Sequence, residues 1–456
     1  MDKAIVLAAG KGTRMKSKLA KVLQPLNGKG MIQYVVDALA GAGITEQIIV
    51  VGHQQEQVRQ HLGETVKYAV QSEQLGTGHA VMMAQKEIDP NEDGLVLVVC
   101  GDTPLLRGET IAGLIAAHQQ RGAAATILTC DFAEPTGYGR IIRDEQGQVK
   151  AIVEEKDAGE NEKRIKEINT GTYCFHSKAL WGALAQIKPV NAQGEYYLTD
   201  VIQILGRNLA KVGAHKIDRV EETMGINNKV QLAEAAKVLR HRKLVSLMEE
   251  GVTIVDPDST FIEDEVKIGV DTVIYPFTWI GGETVIGEDC FIGPNTKVKS
   301  VIMGNRVTID QSTVFNSRLG NDCTVGPYAY LRPGTVLADK VKVGDFVELK
   351  KSQVGMGSKI PHLSYIGDSF IGAGVNIGAG TITCNYDGVK KYNTRIEDGA
   401  FVGSNTNLVA PVVVGKGALI GAGSTITKDI PPNTLAIARS KQINLKKNVE
   451  KRGKEE

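Results

Sequence analysis

Fourteen aliphatic–glycine pairs lie in the second half of the 456-residue chain, and many recur six residues apart. Ile280-Gly281, Ile286-Gly287 and Ile292-Gly293 fall on successive steps of six, and Ile268-Gly269 precedes them by twelve. The beat returns at Leu319-Gly320 and Val325-Gly326, at Ile371-Gly372 and Ile377-Gly378, and at Val402-Gly403, Val414-Gly415 and Ile420-Gly421. A period of six with an aliphatic side chain inside marks a hexapeptide parallel β-helix, in which three hexapeptides close one triangular coil. Residues 251–437 then supply roughly ten coils of about 18 residues each. The aliphatics stack into an apolar column, and glycine at the corners is expected to supply backbone angles that other residues resist.

The first half has another rhythm. Residues 4–7, 47–51, 95–100 and 126–129 read as buried strands, and residues 31–42, 54–62, 78–86 and 110–118 as helices between them. This alternation predicts an α/β unit: a parallel sheet with helices on both faces and ligands beyond the carboxyl ends of its strands. Val230, Leu232, Ala236, Leu239, Leu244 and Met248 then mark a helical stretch that stops before Gly251. The expected domains are 1–228 for the sheet, 229–250 for a linker helix, 251–437 for the β-helix and 438–456 for a charged tail.

A net charge of +1 argues against a strongly basic nucleic-acid binder. No stretch reaches the uncharged apolar length of a membrane span, and the run at residues 4–7 is too short for a signal peptide. The six cysteines, Cys100, Cys130, Cys174, Cys290, Cys323 and Cys384, show no CxxC spacing. They read as reduced, mostly buried small hydrophobes of a cytoplasmic protein, with neither a disulfide nor a zinc role.

The first strand runs into Leu7-Ala8-Ala9-Gly10-Lys11-Gly12-Thr13-Arg14-Met15, with Lys21 shortly after. Gly10 and Gly12 would let backbone N–H groups approach a phosphate, and Lys11, Arg14 and Lys21 add positive charge. Met15 stands where a dinucleotide GxGxxG has its third glycine, and no GK[ST] closes a P-loop. Alone, this GxG is better read as a tight strand-to-helix turn with solvated basic residues.

The wider stretch resembles the GxGTRM…K signature of sugar-phosphate nucleotidyltransferases. Agreeing segments are Gln71-Ser72-Glu73-Gln74-Leu75-Gly76-Thr77-Gly78, Gly101-Asp102, Gly137-Tyr138-Gly139-Arg140, Val153-Glu154-Glu155, Asn169-Thr170-Gly171 and Gly194-Glu195-Tyr196-Tyr197-Leu198-Thr199-Asp200. Joined to the β-helix, they resemble the bacterial family of bifunctional N-acetylglucosamine-1-phosphate uridyltransferases/glucosamine-1-phosphate N-acetyltransferases over nearly the whole chain. The resemblance implies a Rossmann-like nucleotidyltransferase domain, a linker helix and a left-handed β-helix that assembles as a homotrimer. It implies uracil recognition by Gln71, Gly76 and Thr77 with Leu7, Ala8, Ala9 and Gly10. The sugar falls to Gly139, Glu154 and Asn169, and Mg²⁺ to Asp102 and Asn227, two of the hard oxygen donors this cation prefers. Lys21 and Arg14 would neutralise charge on the phosphates of UTP as the sugar 1-phosphate attacks and pyrophosphate leaves. Taken singly, Asp102 before Thr103-Pro104 is also a turn residue, and Asn227 is also an N-cap for the linker helix.

Residues 383–399 break the hexapeptide beat with a polar excursion, for which a β-helix core has no use. With Leu331-Arg332-Pro333-Gly334, Val347-Glu348-Leu349-Lys350-Lys351 and His362-Leu363-Ser364-Tyr365, it resembles the acetyltransferase half of the same family. The resemblance makes His362 the general base, a task that suits a side chain titrating near neutrality. Arg332, Lys350 and Lys391 grip the phosphate of glucosamine-1-phosphate, Tyr365 and Asn376 position the sugar, and acetyl-CoA meets Ala379, Asn385, Tyr386, Ser404, Ala422 and Arg439.

Four residues depart from the family pattern: Ala20 and Gly30 stand where prolines are common, Cys100 where an aromatic is common, and Pro361 where a small residue precedes the base. The first two are expected to loosen the backbone and the third to alter contacts near the sugar. The fourth is expected to restrain the chain beside His362. Two other functions compete: a nucleotidyltransferase whose β-helix serves only assembly, and a non-catalytic scaffold. Arg332, Lys350, His362 and Lys391 argue against the first, and Lys11, Arg14, Lys21 and Asp102 against the second.

Overall fold

Along the strand Lys3–Ala8 successive side chains enter opposite apolar layers, as the period of two requires. Ile5 packs with Val50, Val98, Ala80 and Val81 on one side, while Ala4 and Val6 pack with Val35, Leu39, Val99 and Ile111 on the other. Helices therefore cover both faces of a sheet whose strands run, edge to edge, Val212–Ile217, Ala125–Asp131, Glu167–His176, Leu95–Cys100, Lys3–Ala8, Glu46–Val51 and Lys67–Val70. This computed structural model describes residues 2–89 and 92–446, which fall into two compact units, Met1–Arg240 and His241–Glu456. Residues 447–456 of the expected charged tail lie outside the described residues.

The expected all-parallel sheet is corrected, because Glu167–His176 runs antiparallel to both neighbours in this order and Arg140–Arg143 and Val149–Val153 add further antiparallel pairs to the same nine-stranded sheet. A parallel return needs a crossover of a dozen or more residues that packs back on the sheet. Here the chain makes the hairpin Arg140–Arg143/Val149–Val153 and a single helical turn, Glu160–Lys163, and re-enters in the opposite sense. The four parallel strands Lys3–Ala8, Glu46–Val51, Lys67–Val70 and Leu95–Cys100 all finish at one edge. Their next residues are Ala9-Gly10, Gly52, Gln71 and Gly101-Asp102.

The linker helix spans Lys229–Glu249. Ala235 and Leu239 join the core of the first unit with Met15, Leu105 and Ile226, whereas Leu244 and Leu247 join the core of the second. Its N-cap is Asn228, whose Oδ1 accepts the Gln231 N–H at 2.9 Å. The simpler role considered for Asn227 thus falls to its neighbour.

The second unit is a parallel β-helix of three sheets with 11, 10 and 9 strands. Rungs stack aliphatic on aliphatic, as Ile274 on Ile292 on Ile309 and Ile268 on Ile286. Coil length is not constant: Val298 pairs with Val314, and Ile371 with Ile396 across the polar excursion.

The expected reason for the corner glycines needs correction. Among the aliphatic–glycine pairs only Gly293 and Gly326 have positive φ, and many left-handed corners are taken by residues such as Asp271, Asp289, Asn316 and Asp322. Most of the other pair glycines are small because the next coil is close. A Cβ on Gly269 would lie 2.7 Å from the Gly287 carbonyl carbon, and one on Gly378 would lie 2.5 Å from Ser404 N. The corners are further tied by an amide–carboxylate ladder. Asn305 Oδ1 accepts from Glu288 N, Asn321 Oδ1 from Asn305 N, and Asp339 Oδ1 from Asn321 N, at 3.0, 2.9 and 2.8 Å. All six cysteines are free thiols: four are buried, Cys100 is partly buried and Cys384 is exposed. No helix among the described residues is long and apolar enough to cross a membrane.

Candidate active sites

At the carboxyl edge of the sheet, Leu7, Ala8, Ala9, Gly10, Lys21, Gln71, Gly76, Thr77 and Asp102 line one cleft of about 260 Å³. Its glycines have separate jobs. Gly12 has φ 59° and packs so tightly on Lys21 that a Cβ would come within 2.5 Å of the lysine Cβ. Gly76 has φ 108°, and a Cβ there would lie 2.6 Å from Tyr196 O. Both geometries favour glycine strongly.

Lys21, Asp102, Asn227 and Arg14 converge although they lie far apart in sequence. Lys21 Nζ is 2.5 Å from Asp102 Oδ2 and donates to Asn227 Oδ1 at 2.7 Å, and Arg14 donates to the same oxygen at 2.9 Å. A carboxylate oxygen and an amide oxygen thus face one cationic point. Among the described residues no cluster of three or more His, Cys, Asp or Glu side chains could hold a metal by itself. Two protein oxygens suit a hard cation that completes its shell with water and phosphate, so the donor set fits Mg²⁺.

The loop carrying Lys21 is hydrogen-bonded to the segment that opens the helix Gln55–Leu62. Ala20 N–H donates to Gln57 Oε1 at 2.9 Å, and Gln54 and Gln57 both donate to Lys18 O. Gly30 likewise pairs with Pro25 in a two-stranded ribbon.

Gln71 is 3% exposed, and its Nε2 donates to Gly76 O at 3.1 Å and lies 3.1 Å from His79 Nδ1. With the amide nitrogen so engaged, Oε1 is the end left to accept an N–H such as that of an imide base.

A second cleft of about 200 Å³ shares Leu7, Thr77 and Cys100 with the first and adds Gly139, Glu154 and Asn169. Asn169 donates to Tyr173 Oη at 2.7 Å, and Thr199 Oγ1 donates to Glu154 Oε1 at 3.2 Å. Burial pushes the Glu154 carboxyl above its usual range, against the opposing Thr199 bond. Burial also pushes the Cys100 thiol up to about 12, with Asp102 adding to the rise, so it stays neutral and unreactive.

On the β-helix two groups form. Lys350 Nζ lies 3.4 Å from Asp368 Oδ2, which accepts from Asn385 Nδ2 at 2.5 Å. Gly367 fits against Tyr365 Oη and Asn385 Nδ2, and a Cβ there would lie 2.5 and 2.7 Å from them. The Lys391 and Lys350 amines act on one another. The hydrogen bond with Lys350 holds Lys391 below the usual lysine range, and the same bond, with Asp368 adding to it, takes Lys350 above it. Arg332 pairs with Glu348 at 2.9 Å, and Glu348 is register partner to Tyr365.

The other group is a corner column with one residue per coil: Asp345, His362, Ala379, Ser404 and Ala422. His362 is register partner to Asp345, and Lys359 to Asn376, three residues before His362 and Ala379. Asn405 N donates to Ala379 O and Gly423 N to Ser404 O. Arg439 closes the column by donating to Ala422 O at 2.8 Å. Tyr386 lies in the excursion, and its hydroxyl donates to Gly388 O. No side-chain hydrogen bond or ion pair among the described residues links the two groups.

Residues that the motifs did not single out are Gln57, Tyr173, Asp345 and Asp368. Only Asp345 left a usable trace: it is an acidic residue one coil before His362, 17 positions back.

Comparison with known proteins agrees with this two-part layout. A nucleotidyl transferase family model matches residues 3–219, a model of the GMPPB C-terminal domain matches 257–356, and a bacterial transferase hexapeptide model of six repeats matches 393–428. The chain is 58% identical to the bifunctional protein GlmU of Heliobacterium modesticaldum over 98% of its own length and 97% of the relative's. It is 55% identical to that of Geobacillus sp. strain WCH70, over 98% and 97%. The Carboxydothermus hydrogenoformans protein of the same name is 54% identical, over 96% and 98%.

Proposed function

The chain belongs to the family of bifunctional GlmU proteins, and from that premise we infer which residues carry each of its two reactions. The enzyme acetylates glucosamine-1-phosphate with acetyl-CoA. It then transfers UMP from UTP to N-acetylglucosamine-1-phosphate, giving UDP-N-acetylglucosamine, a cell-wall precursor, and pyrophosphate. We assign uridyl transfer to residues 1–228 and acetyl transfer to residues 251–437, joined by the helix at 229–250. The assembly is a homotrimer held through the β-helix, working in the cytoplasm without nucleic acid or membrane partners.

The observation that carries the uridyl half is the meeting of Lys21, Asp102 and Asn227 from three distant segments. Gln71 Oε1 accepts the uracil N3–H, beside Gly76, Thr77 and the loop from Leu7 to Gly10. Gly139, Glu154 and Asn169 hold the sugar so that its 1-phosphate oxygen lines up with the α-phosphorus. Lys21 and Arg14 balance the charge that collects on the phosphates as the P–O bond to pyrophosphate breaks. Mg²⁺ held by Asp102 and Asn227 would neutralise further phosphate charge. No side-chain nucleophile is required.

In the acetyl half, Arg332, Lys350 and Lys391 hold the substrate phosphate while Tyr365 and Asn376 orient the ring. His362 takes a proton from the amine as the N–C bond forms and the C–S bond breaks, and it returns the proton to the leaving thiolate. Ala379, Asn385, Tyr386, Ser404, Ala422 and Arg439 receive coenzyme A. The mutual influence of Lys350 and Lys391 supports this reading, because an arriving phosphate would offset the repulsion between their charges. Lys391→Ala should raise the apparent KM for glucosamine-1-phosphate by roughly tenfold, the scale of one charge-assisted contact, with kcat little changed. Initial rates over a range of glucosamine-1-phosphate concentrations check it.

The deciding experiment incubates the purified protein with glucosamine-1-phosphate, acetyl-CoA, UTP and Mg²⁺ and identifies products by mass spectrometry. UDP-N-acetylglucosamine, coenzyme A and pyrophosphate are expected. Formation of the nucleotide sugar only when N-acetylglucosamine-1-phosphate is supplied would leave the β-helix as an assembly element.

A further inference from the structure

Asp345 and His362 end the neighbouring strands Lys342–Asp345 and Lys359–His362 and are paired in register. Asp345 Oδ1 lies 2.5 Å from His362 Nδ1, and the Leu363 N–H donates to Asp345 O at 2.9 Å, so backbone and side chain tie the same two coils together. An ionised carboxylate offers only acceptor oxygens, so the proton between them belongs to Nδ1 and the free lone pair is on Nε2. The hydrogen bond with His362 holds the Asp345 carboxyl below its usual range, which keeps it in the accepting form.

The coil needs this tie where it occurs. At equivalent positions Gly326, Gly378 and Gly403 each donate their N–H to the next coil, at 2.9, 2.8 and 2.9 Å. Pro361 occupies that position one residue before His362 and has no N–H to give, so one rung of the backbone ladder is missing beside the proposed base. The His362 side chain is also 55% exposed, so packing alone does not select one ring orientation or one tautomer. Resting on the reading of His362 as general base, we propose that Asp345 is a positioning residue for acetyl transfer. It fixes the imidazole with Nδ1 protonated and Nε2 turned to the substrate amine.

The test uses the full-length protein and follows coenzyme A thiol release in Asp345→Ala, His362→Ala and the double variant. Uridyl transfer by the same polypeptide and the oligomeric state report folding. Asp345→Ala should lower kcat for acetyl transfer by about tenfold to a hundredfold, the cost of a misdirected catalytic group, with KM for both substrates within about twofold. In the His362→Ala background it should cause no further loss, because residues acting as a unit are not additive. Formate, a small carboxylate able to fill the gap, should restore part of the lost kcat in Asp345→Ala and none in His362→Ala.

A wild-type kcat in Asp345→Ala, a change in KM alone, or an equal loss in both backgrounds would overturn the proposal. A wild-type rate in His362→Ala would instead overturn the base assignment, so the two failures are distinguishable. Asp345→Ser gives the same readings should the alanine variant not assemble.

Discussion

Replacing His362 with alanine should cut acetyl transfer by roughly 10²–10⁴-fold, the usual contribution of general acid–base catalysis. The substrate amine must lose a proton as it attacks the thioester. His362 stands in the corner column with Ala379, Ser404 and Ala422, beside which coenzyme A is proposed to lie. Uridyl transfer should continue at the wild-type rate, because that chemistry uses the sheet unit. The measurement is free thiol released from acetyl-CoA in the presence of glucosamine-1-phosphate. A folded, correctly assembled variant with undiminished thiol release would reduce Pro361-His362 to a structural corner.

Asp102→Ala should have the mirror-image effect, lowering uridyl transfer by roughly 10²–10³-fold, the cost of removing one preorganised charge partner at a phosphate site. Two losses combine there. Lys21 loses the carboxylate 2.5 Å from its Nζ, and the cation site keeps only the Asn227 oxygen. Acetyl transfer should be untouched. Pyrophosphate release at several Mg²⁺ concentrations distinguishes the two contributions, since weakened metal binding alone is recovered at high Mg²⁺. Wild-type uridyl transfer at limiting Mg²⁺ would rule out Asp102 as a ligand.

Much of this was legible because the relevant physics is local and periodic. A β-helix interior admits an aliphatic residue at each inward position, so the column from Ile268 to Ile420 repeats its own signature. The strands at residues 95–100 and 47–51 and the helix beginning at Met31 were likewise readable from short apolar runs and turns. What misled was inference from residue type to cause. Glycine suggested unusual φ, yet Gly269 and Gly378 are small because another coil approaches, a fact about residues well ahead in sequence. Strand–helix alternation suggested a parallel sheet, but the sense of Glu167–His176 depends on how the chain returns. Asn227 was also readable as the cap of the linker helix, and only the fold gives that role to Asn228 and brings Asn227 to Lys21.

By itself the sequence determined the two architectures, their order and the residue types available for phosphate and acyl chemistry, because each leaves a local pattern of spacing and composition. Tertiary structure alone decided which of those residues meet. Lys21 reaches Asn227 across 206 positions, Asp345 reaches His362 across one coil, and Gln57 ties the Ala20 backbone from a separate helix. Such contacts follow from sheet order and coil register, and no periodicity along a chain encodes the partner of a single polar side chain.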